Sequence, residues 1–264
     1  FIVLMGSLGT YCKWCVLAHV SNIVFWGVAE LIRRPVGLKQ DFASAIYPFS
    51  KVFVLTTIVL VVALQFVPTL GKVVDDSTLP LLDARHRIGP ENAPIQIVMF
   101  TDYQCPDCFR YEKQLTVLVE ASDDISVSVK HFPLCFDCND NIGTFKLHGN
   151  ACWAARAAEA ASIVGGEVEW EKIHNWLFSQ KGSFTDESLP QSLLDLGFDP
   201  NVFIGTMTSD ETLQRVKQEA DDGFGLGVYF TPMIFINGVE WLWYYGGQGS
   251  LENAIAMVRE RDSG

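Results

Sequence analysis

Positive charge is scarce where a nucleic-acid-binding protein would need it. Residues 73–264 hold 13 Lys/Arg against 29 Asp/Glu. A surface that acidic repels a phosphate backbone, which argues against nucleic acid as a partner. Methionine is also sparse: 5 occur in 264 residues, with no Met-rich segment, and no histidine adjoins Cys105. Both absences weigh against a tethered metallochaperone holding copper through its thiolates. Charge itself is missing from two runs. Val52–Leu70 contains none, and Trp14–Ile32 is relieved only by His19, Ser21, Asn22 and Glu30.

Each of those runs has about the 20 residues that a bilayer core requires. Two membrane helices are expected there, with Phe1–Leu8 as the tail of an earlier one. The chain opens on Phe1 without an initiator Met and is read as a fragment lacking its N-terminal part. Two long runs with no cleavage signal before them do not fit a signal peptide. The connector Arg33–Lys51 carries Arg33, Arg34, Lys39 and Lys51 against Asp41, and the positive-inside rule assigns it to the cytoplasm. Cys12, Cys15 and everything after Leu70 then face outward.

Cysteine is what the chain does have: seven, with three C-x-x-C spacings, which points to an oxidising compartment or redox work. The central pair lies in Phe100–Phe109, F-T-D-Y-Q-C-P-D-C-F. Ile95–Phe100 before it is an apolar, β-branched run that reads as a buried strand, and Phe109–Ala121 after it has helical spacing. A C-x-x-C alone fits a half zinc site or a structural pair. The strand before, the helix after and Pro106 in the spacer favour redox exchange. Pro suits a first helical turn, and the unpaired N–H groups there stabilise a Cys105 thiolate. Cys108, one turn later, faces back to resolve a mixed disulfide. Asp107 between the two is expected to oppose the thiolate and make the pair less oxidising. Far downstream, Tyr229–Gly238 is a strand with Pro232 at its start, where a cis Thr231–Pro232 bond would place it in a tight turn.

G-P-E-N-A-P (89–94), F-T-D-Y-Q-C-P-D-C (100–108), H-F-P-L (131–134) and T-P-M-I-F-I-N-G (231–238) together resemble the DsbA-type branch of the thioredoxin superfamily, over about Ile88–Gly264. The resemblance implies that Thr231–Pro232 is a cis-proline loop packed against Cys105 and Cys108, helping to grip an extended client strand. Thr before that proline also resembles the isomerase and reductase members. Similar domains show a C-N…H-x-x-A-C pattern, matched by Cys138-Asn139 and His148–Cys152, which implies a structural Cys138–Cys152 bridge worth about 2–3 kcal/mol. The rival pairing is Cys135–Cys138, structural or redox-active. His131, His148 and His174 lack ligand spacing to a Cys pair and read as ordinary surface or core residues.

Y-C-K-W-C-V-L-A-H-V-S-N (11–22) resembles the active-site helix of the vitamin K epoxide reductase family, over about Tyr11–Leu70 and thus its last two helices. His19 and Asn22 share a helical face with Cys15, and polar residues inside a span are functional candidates. The alternative for His19 is a helix–helix hydrogen bond. Bacterial members of that family are often fused to a thioredoxin-like domain in this order. The resemblance implies that Cys12 and Cys15 pass electrons to a membrane quinone of the ubiquinone or menaquinone type, with Cys15 nearer the ring and His19 and Asn22 beside it. The family's earlier relay pair has no counterpart in Phe1–Tyr11.

The expected architecture is a membrane α-helical segment over 1–70, part of a four-helix-bundle-type integral domain. An extracytoplasmic linker over 71–94 and an α/β thioredoxin-like domain with a helical insertion over 95–264 follow. The linker has little periodicity and reads as mostly extended, reaching up to roughly 80 Å and giving an effective concentration on the order of millimolar at the membrane. Helices are expected over Asn150–Val164, Trp170–Gln180, Leu189–Leu196, Asp210–Gly223 and Gln248–Arg259. A hairpin joins Met233–Asn237 to Gly238–Tyr245, packed by the aromatic cluster Trp241–Tyr245. The expected function is a protein disulfide oxidoreductase of the cell inner membrane, its thioredoxin-like domain in the periplasm or extracytoplasmic space, oxidising secreted or periplasmic proteins. A disulfide isomerase or reductase is the alternative.

Overall fold

The structure, a computed structural model, describes residues 73–144, 146–241 and 250–262. Among these residues no helix is long and apolar enough to cross a membrane. The expected spans Trp14–Ile32 and Val52–Leu70 lie outside them, as do Cys12, Cys15, His19 and Asn22.

The described residues form an α/β domain on a five-stranded sheet. The strands are β1 (His86–Ile88), β2 (Ile95–Thr101), β3 (Ile125–His131), β4 (Met233–Ile236) and β5 (Val239–Trp241), in spatial order β1-β3-β2-β4-β5. β2 and β3 run parallel, joined by helix α1 (Pro106–Ala121), and the other pairings are antiparallel. Parallel neighbours need such a crossover. Side chains alternate across a strand, so β2 feeds two cores. Ile95, Ile97 and Met99 pack with Leu115 of α1, while Val98 and Phe100 pack with Phe132 and Phe235 on the other face.

Between β3 and β4 lies the helical insertion: α2 (Ala151–Gly165), α3 (Glu167–Ser179), α4 (Leu189–Asp195), α5 (Pro200–Met207) and α6 (Asp210–Gly225); α7 (Leu251–Asp262) closes the described chain. The sequence reading missed α5. Its start is nonetheless written locally: the Asp199 carboxylate accepts from the N–H groups of Asn201 and Val202 at 2.8 and 3.2 Å, and Pro200 occupies the first turn, a standard helix opening. α6 approaches the sheet closely at Gly223, where a Cβ would stand 2.8 Å from the Phe132 ring and 3.0 Å from Phe100. The β4–β5 turn is Asn237–Gly238, both at positive φ (46° and 77°), as a two-residue hairpin turn prefers. Of the aromatic cluster, Trp241 is buried edge-on to Tyr111 at 5.3 Å, and 242–245 lie outside the described residues.

The extended tether expected over 71–94 is corrected for residues 73–94. Val73 bridges to Val239, Val74 N–H donates to the Gly238 carbonyl at 2.9 Å, and Val74 is buried. Leu79–Leu82 forms a 3-10 turn and His86–Ile88 pairs with Val127–Val129 of β3. Lys130, itself buried, donates to the carbonyls of Leu81 and Asp83 at 2.8 and 2.6 Å and pairs with Asp222 at 2.7 Å. The segment lacks periodicity because its anchors are no more than three or four residues long and find their partners far along the chain.

Candidate active site

Strand β2 ends at Thr101, and four residues later Cys105 caps helix α1 with extended backbone (φ −79°, ψ 120°). Its sulfur meets the loop before β4, where the Thr231–Pro232 peptide is cis. The Cys105 thiol donates to the Thr231 carbonyl oxygen at 3.4 Å. Cys105 is 7 % exposed and Cys108 0 %, so a partner sulfur reaches Cys105 first. Both are free thiols in this structure. Cys105, Cys108, Thr231 and Pro232 thus come together in one place.

Electrostatics separate the two thiols. Cys105 is lowered to about 6, chiefly because the Cys108 thiol donates to its sulfur, with help from the Cys108 and Asp107 backbone N–H groups and the Thr231 hydroxyl. Cys108 is pushed well above an ordinary thiol by burial and by the Cys105 sulfur. The arrangement thus favours a thiolate at Cys105 and a protonated thiol at Cys108 at neutral pH, the combination that thiol–disulfide exchange uses. The expectation that Asp107 raises Cys105 is not met. Its N–H favours the thiolate, and its carboxylate stands 3.1 Å from the Arg110 guanidinium. Iodoacetamide modification of Cys105 is expected to reach half its maximal rate near pH 6, whereas Cys135, raised by burial, stays slow at pH 7. Peptide mapping after timed quenching reads both, and equal rates would contradict the assignment.

A second layer, not legible in the sequence, holds the pair from below. Asp102, buried, accepts from the N–H groups of Gln104 and Leu134, both at 2.8 Å, and its own N–H donates to Cys108 Sγ at 3.5 Å. His148 Nδ1 lies 2.8 Å from Asp102 Oδ2. His148 therefore belongs to the site rather than to the ordinary surface. The Asp102 carboxylate raises its pKa, and the Cys105 thiolate adds to the effect. The linkage has a definite sign: His148 stabilises the fold fully below its unfolded value of about 6.5, and that stabilisation is lost as pH rises through the higher folded value. Urea unfolding of His148→Gln should therefore differ from the parent more at pH 5.5 than at pH 9. A difference independent of pH would refute the pairing. Tyr103 and Glu112 flank buried His174, at 2.9 Å from Nδ1 and 3.0 Å from Nε2. No short spacing announces these contacts, since their partners stand 46, 71 and 62 residues apart in the chain.

Cys138 and Cys152 form a disulfide, and Cys135 beside them is a free, buried thiol. The pairing implied by the sequence resemblance is the one found.

Residues 96–254 match the family model described as DSBA-like thioredoxin domain. Among solved structures, the chain is similar to the thiol-disulfide exchange protein alpha-DsbA2 of Wolbachia pipientis (23 % identity, TM-score 0.54, covering 67 % of this chain and 86 % of that one). A periplasmic thioredoxin-like protein of Salmonella enterica serovar Typhimurium gives 22 %, 0.55, 73 % and 100 %, and oxidised BdbD of Bacillus subtilis 17 %, 0.53, 74 % and 98 %. These likenesses establish the fold. Curated relatives include a Na(+)/H(+) antiporter NhaA 1 of Mycolicibacterium vanbaalenii, 29 % identical over 160 residues. That alignment covers 60 % of this chain but 24 % of the antiporter. The matching family model spans more than half of the sequence, and the chain belongs to the DSBA-like thioredoxin domain family.

Proposed function

We propose that the domain is a protein thiol–disulfide oxidoreductase working on extracytoplasmic proteins. The observation that carries this reading is the acidified Cys105 at the N-terminus of α1, facing the Thr231 carbonyl across from buried Cys108. In the oxidising direction a client thiolate attacks Cys105 Sγ of the Cys105–Cys108 disulfide, and Cys108 leaves and takes up a proton. The second client thiolate then attacks the client sulfur, and Cys105 leaves as a thiolate. Two electrons move to the enzyme pair, and the client gains one disulfide. The low Cys105 pKa makes it the better leaving group, which favours this direction.

Onward transfer from Cys105/Cys108 to Cys12/Cys15 and a quinone, with His19 and Asn22 beside the ring, rests on the sequence resemblance of residues 11–70 to the vitamin K epoxide reductase family. So does placement in the cell inner membrane with the domain on its outer side. Redox titration of the full chain against glutathione buffers, read by mass mapping of Cys105 and Cys108, tests the direction. A potential of about −120 to −180 mV supports oxidation, and one near or below about −250 mV makes the domain a reductase.

A further inference from the structure

Three buried side chains that the redox chemistry does not use converge between β1, β3 and α2. Glu159 Oε1 stands 3.1 Å from His86 Nε2 and 3.4 Å from His131 Nε2, and the three atoms lie within 4.8 Å of one another. His86 and Glu159 are fully buried and His131 is 1 % exposed. His131 Nδ1 has no hydrogen-bond partner, and Nε2 has only the 3.4 Å approach to the Glu159 carboxylate, which does not form a hydrogen bond. Removing such a ring from water without replacing its partners is costly. A cation between the three groups would supply what is missing.

The spacing suits one. Zinc holds imidazole nitrogen and carboxylate oxygen at about 2.0–2.2 Å, so neighbouring corners of its tetrahedron lie ~3.3 Å apart. Both measured separations to Glu159 Oε1 fall within a few tenths of an ångström of that edge. The surroundings match the way ligands are usually held, with a carboxylate behind the imidazole and a donor on the ligating carboxylate. His86 Nδ1 lies 3.1 Å from Glu167 Oε1, Trp170 stacks on the His86 ring at 4.5 Å, and Arg215 Nη1 lies 3.3 Å from Glu159 Oε2, the other oxygen of that carboxylate. We propose that His86, His131 and Glu159 bind one divalent transition-metal cation of the zinc class. Two imidazoles and a carboxylate select against magnesium and calcium, which take oxygen, and the lack of thiolate selects against copper(I). The ion would tie β1, and with it the segment leading into the domain, to β3 and α2.

The test uses the full chain, its free thiols blocked with N-ethylmaleimide so that nitrogen and oxygen donors remain, and probes it with Zn²⁺ and Co²⁺. One equivalent is expected to survive gel filtration, the cobalt form showing visible bands of a four-coordinate nitrogen–oxygen site without thiolate charge transfer. Glu159→Gln and His131→Asn should each weaken retention at least tenfold, and His174→Asn should not. No retained equivalent, or one indifferent to Glu159→Gln, overturns the proposal. If those variants lose their helical circular dichroism, the parent decides. A melting temperature raised by zinc and lowered again by chelator supports the site, and one unmoved by either refutes it.

Discussion

Serine in place of Cys105 is expected to slow disulfide exchange with a model client by on the order of 10³-fold or more, because a hydroxyl is not ionised at neutral pH and oxygen does not replace the thiolate in forming the mixed disulfide. Cys108→Ser should behave differently. The first exchange at Cys105 still proceeds, but no resolving thiol remains, so a covalent client adduct accumulates on Cys105 instead of turning over. The exposures of the two sulfurs, 7 % and 0 %, and their opposed pKa shifts assign the roles in that order. Non-reducing gels and mass mapping separate the outcomes. An adduct on Cys135, or full turnover by Cys108→Ser, would remove the proposed division of labour. Cys135→Ser serves as the control and should exchange at the parental rate.

The second large effect is on stability. Lys130→Met should destabilise the domain by about 3–5 kcal/mol, as removal of one member of a buried charge pair generally does, and lower its melting temperature by roughly 10 °C. The methionine keeps the apolar stem beside Phe100, whose ring centre lies 5.8 Å from the ammonium, but removes the donor to Asp222 Oδ2 and to the Leu81 and Asp83 carbonyls, leaving the Asp222 carboxylate only its bond from Gln218. The double variant Lys130→Met/Asp222→Leu should recover part of the loss, since no unpaired charge then remains. Limited proteolysis adds a second readout: in Lys130→Met, cleavage between residues 75 and 85 should accelerate ahead of global unfolding. A melting temperature within 1 °C of the parent would show that the lysine contributes nothing net.

The elements around the cysteines were legible because their signals are local. The β-branched run Ile95–Phe100, the proline at the first turn and the apolar spacing of α1 each act within a few residues, and the observed strand and helix differ from the expected ones only at their ends. Four of the five insertion helices announced themselves the same way, and α5 did not. What stayed hidden depends on distance along the chain. β1 is three residues long and polar at two of them, so neither period nor propensity marks it. Its partner begins 37 residues later. Asp102 resembles any loop aspartate until His148 and Leu134 arrive beside it. His86, His131 and Glu159 come from three elements, and no motif spacing joins them. The docked segment 73–94 was misread for the same reason: its composition is that of a linker, and only the domain surface reveals its anchors.

Among the described residues the sheet is bordered on one side by β1, three residues long, and on the other by β5, where Val73 bridges to Val239. Long open borders invite foreign chains to add on as extra strands. A catalyst of the proposed kind meets its clients unfolded, when their backbone N–H and C=O groups are free to pair. The three-residue border at β1 leaves little template there for such strand addition, and at β5 the chain's own Val73 takes the place opposite Val239. Under the proposed function, client chains would then meet the cysteines without a long open border at β1 to extend.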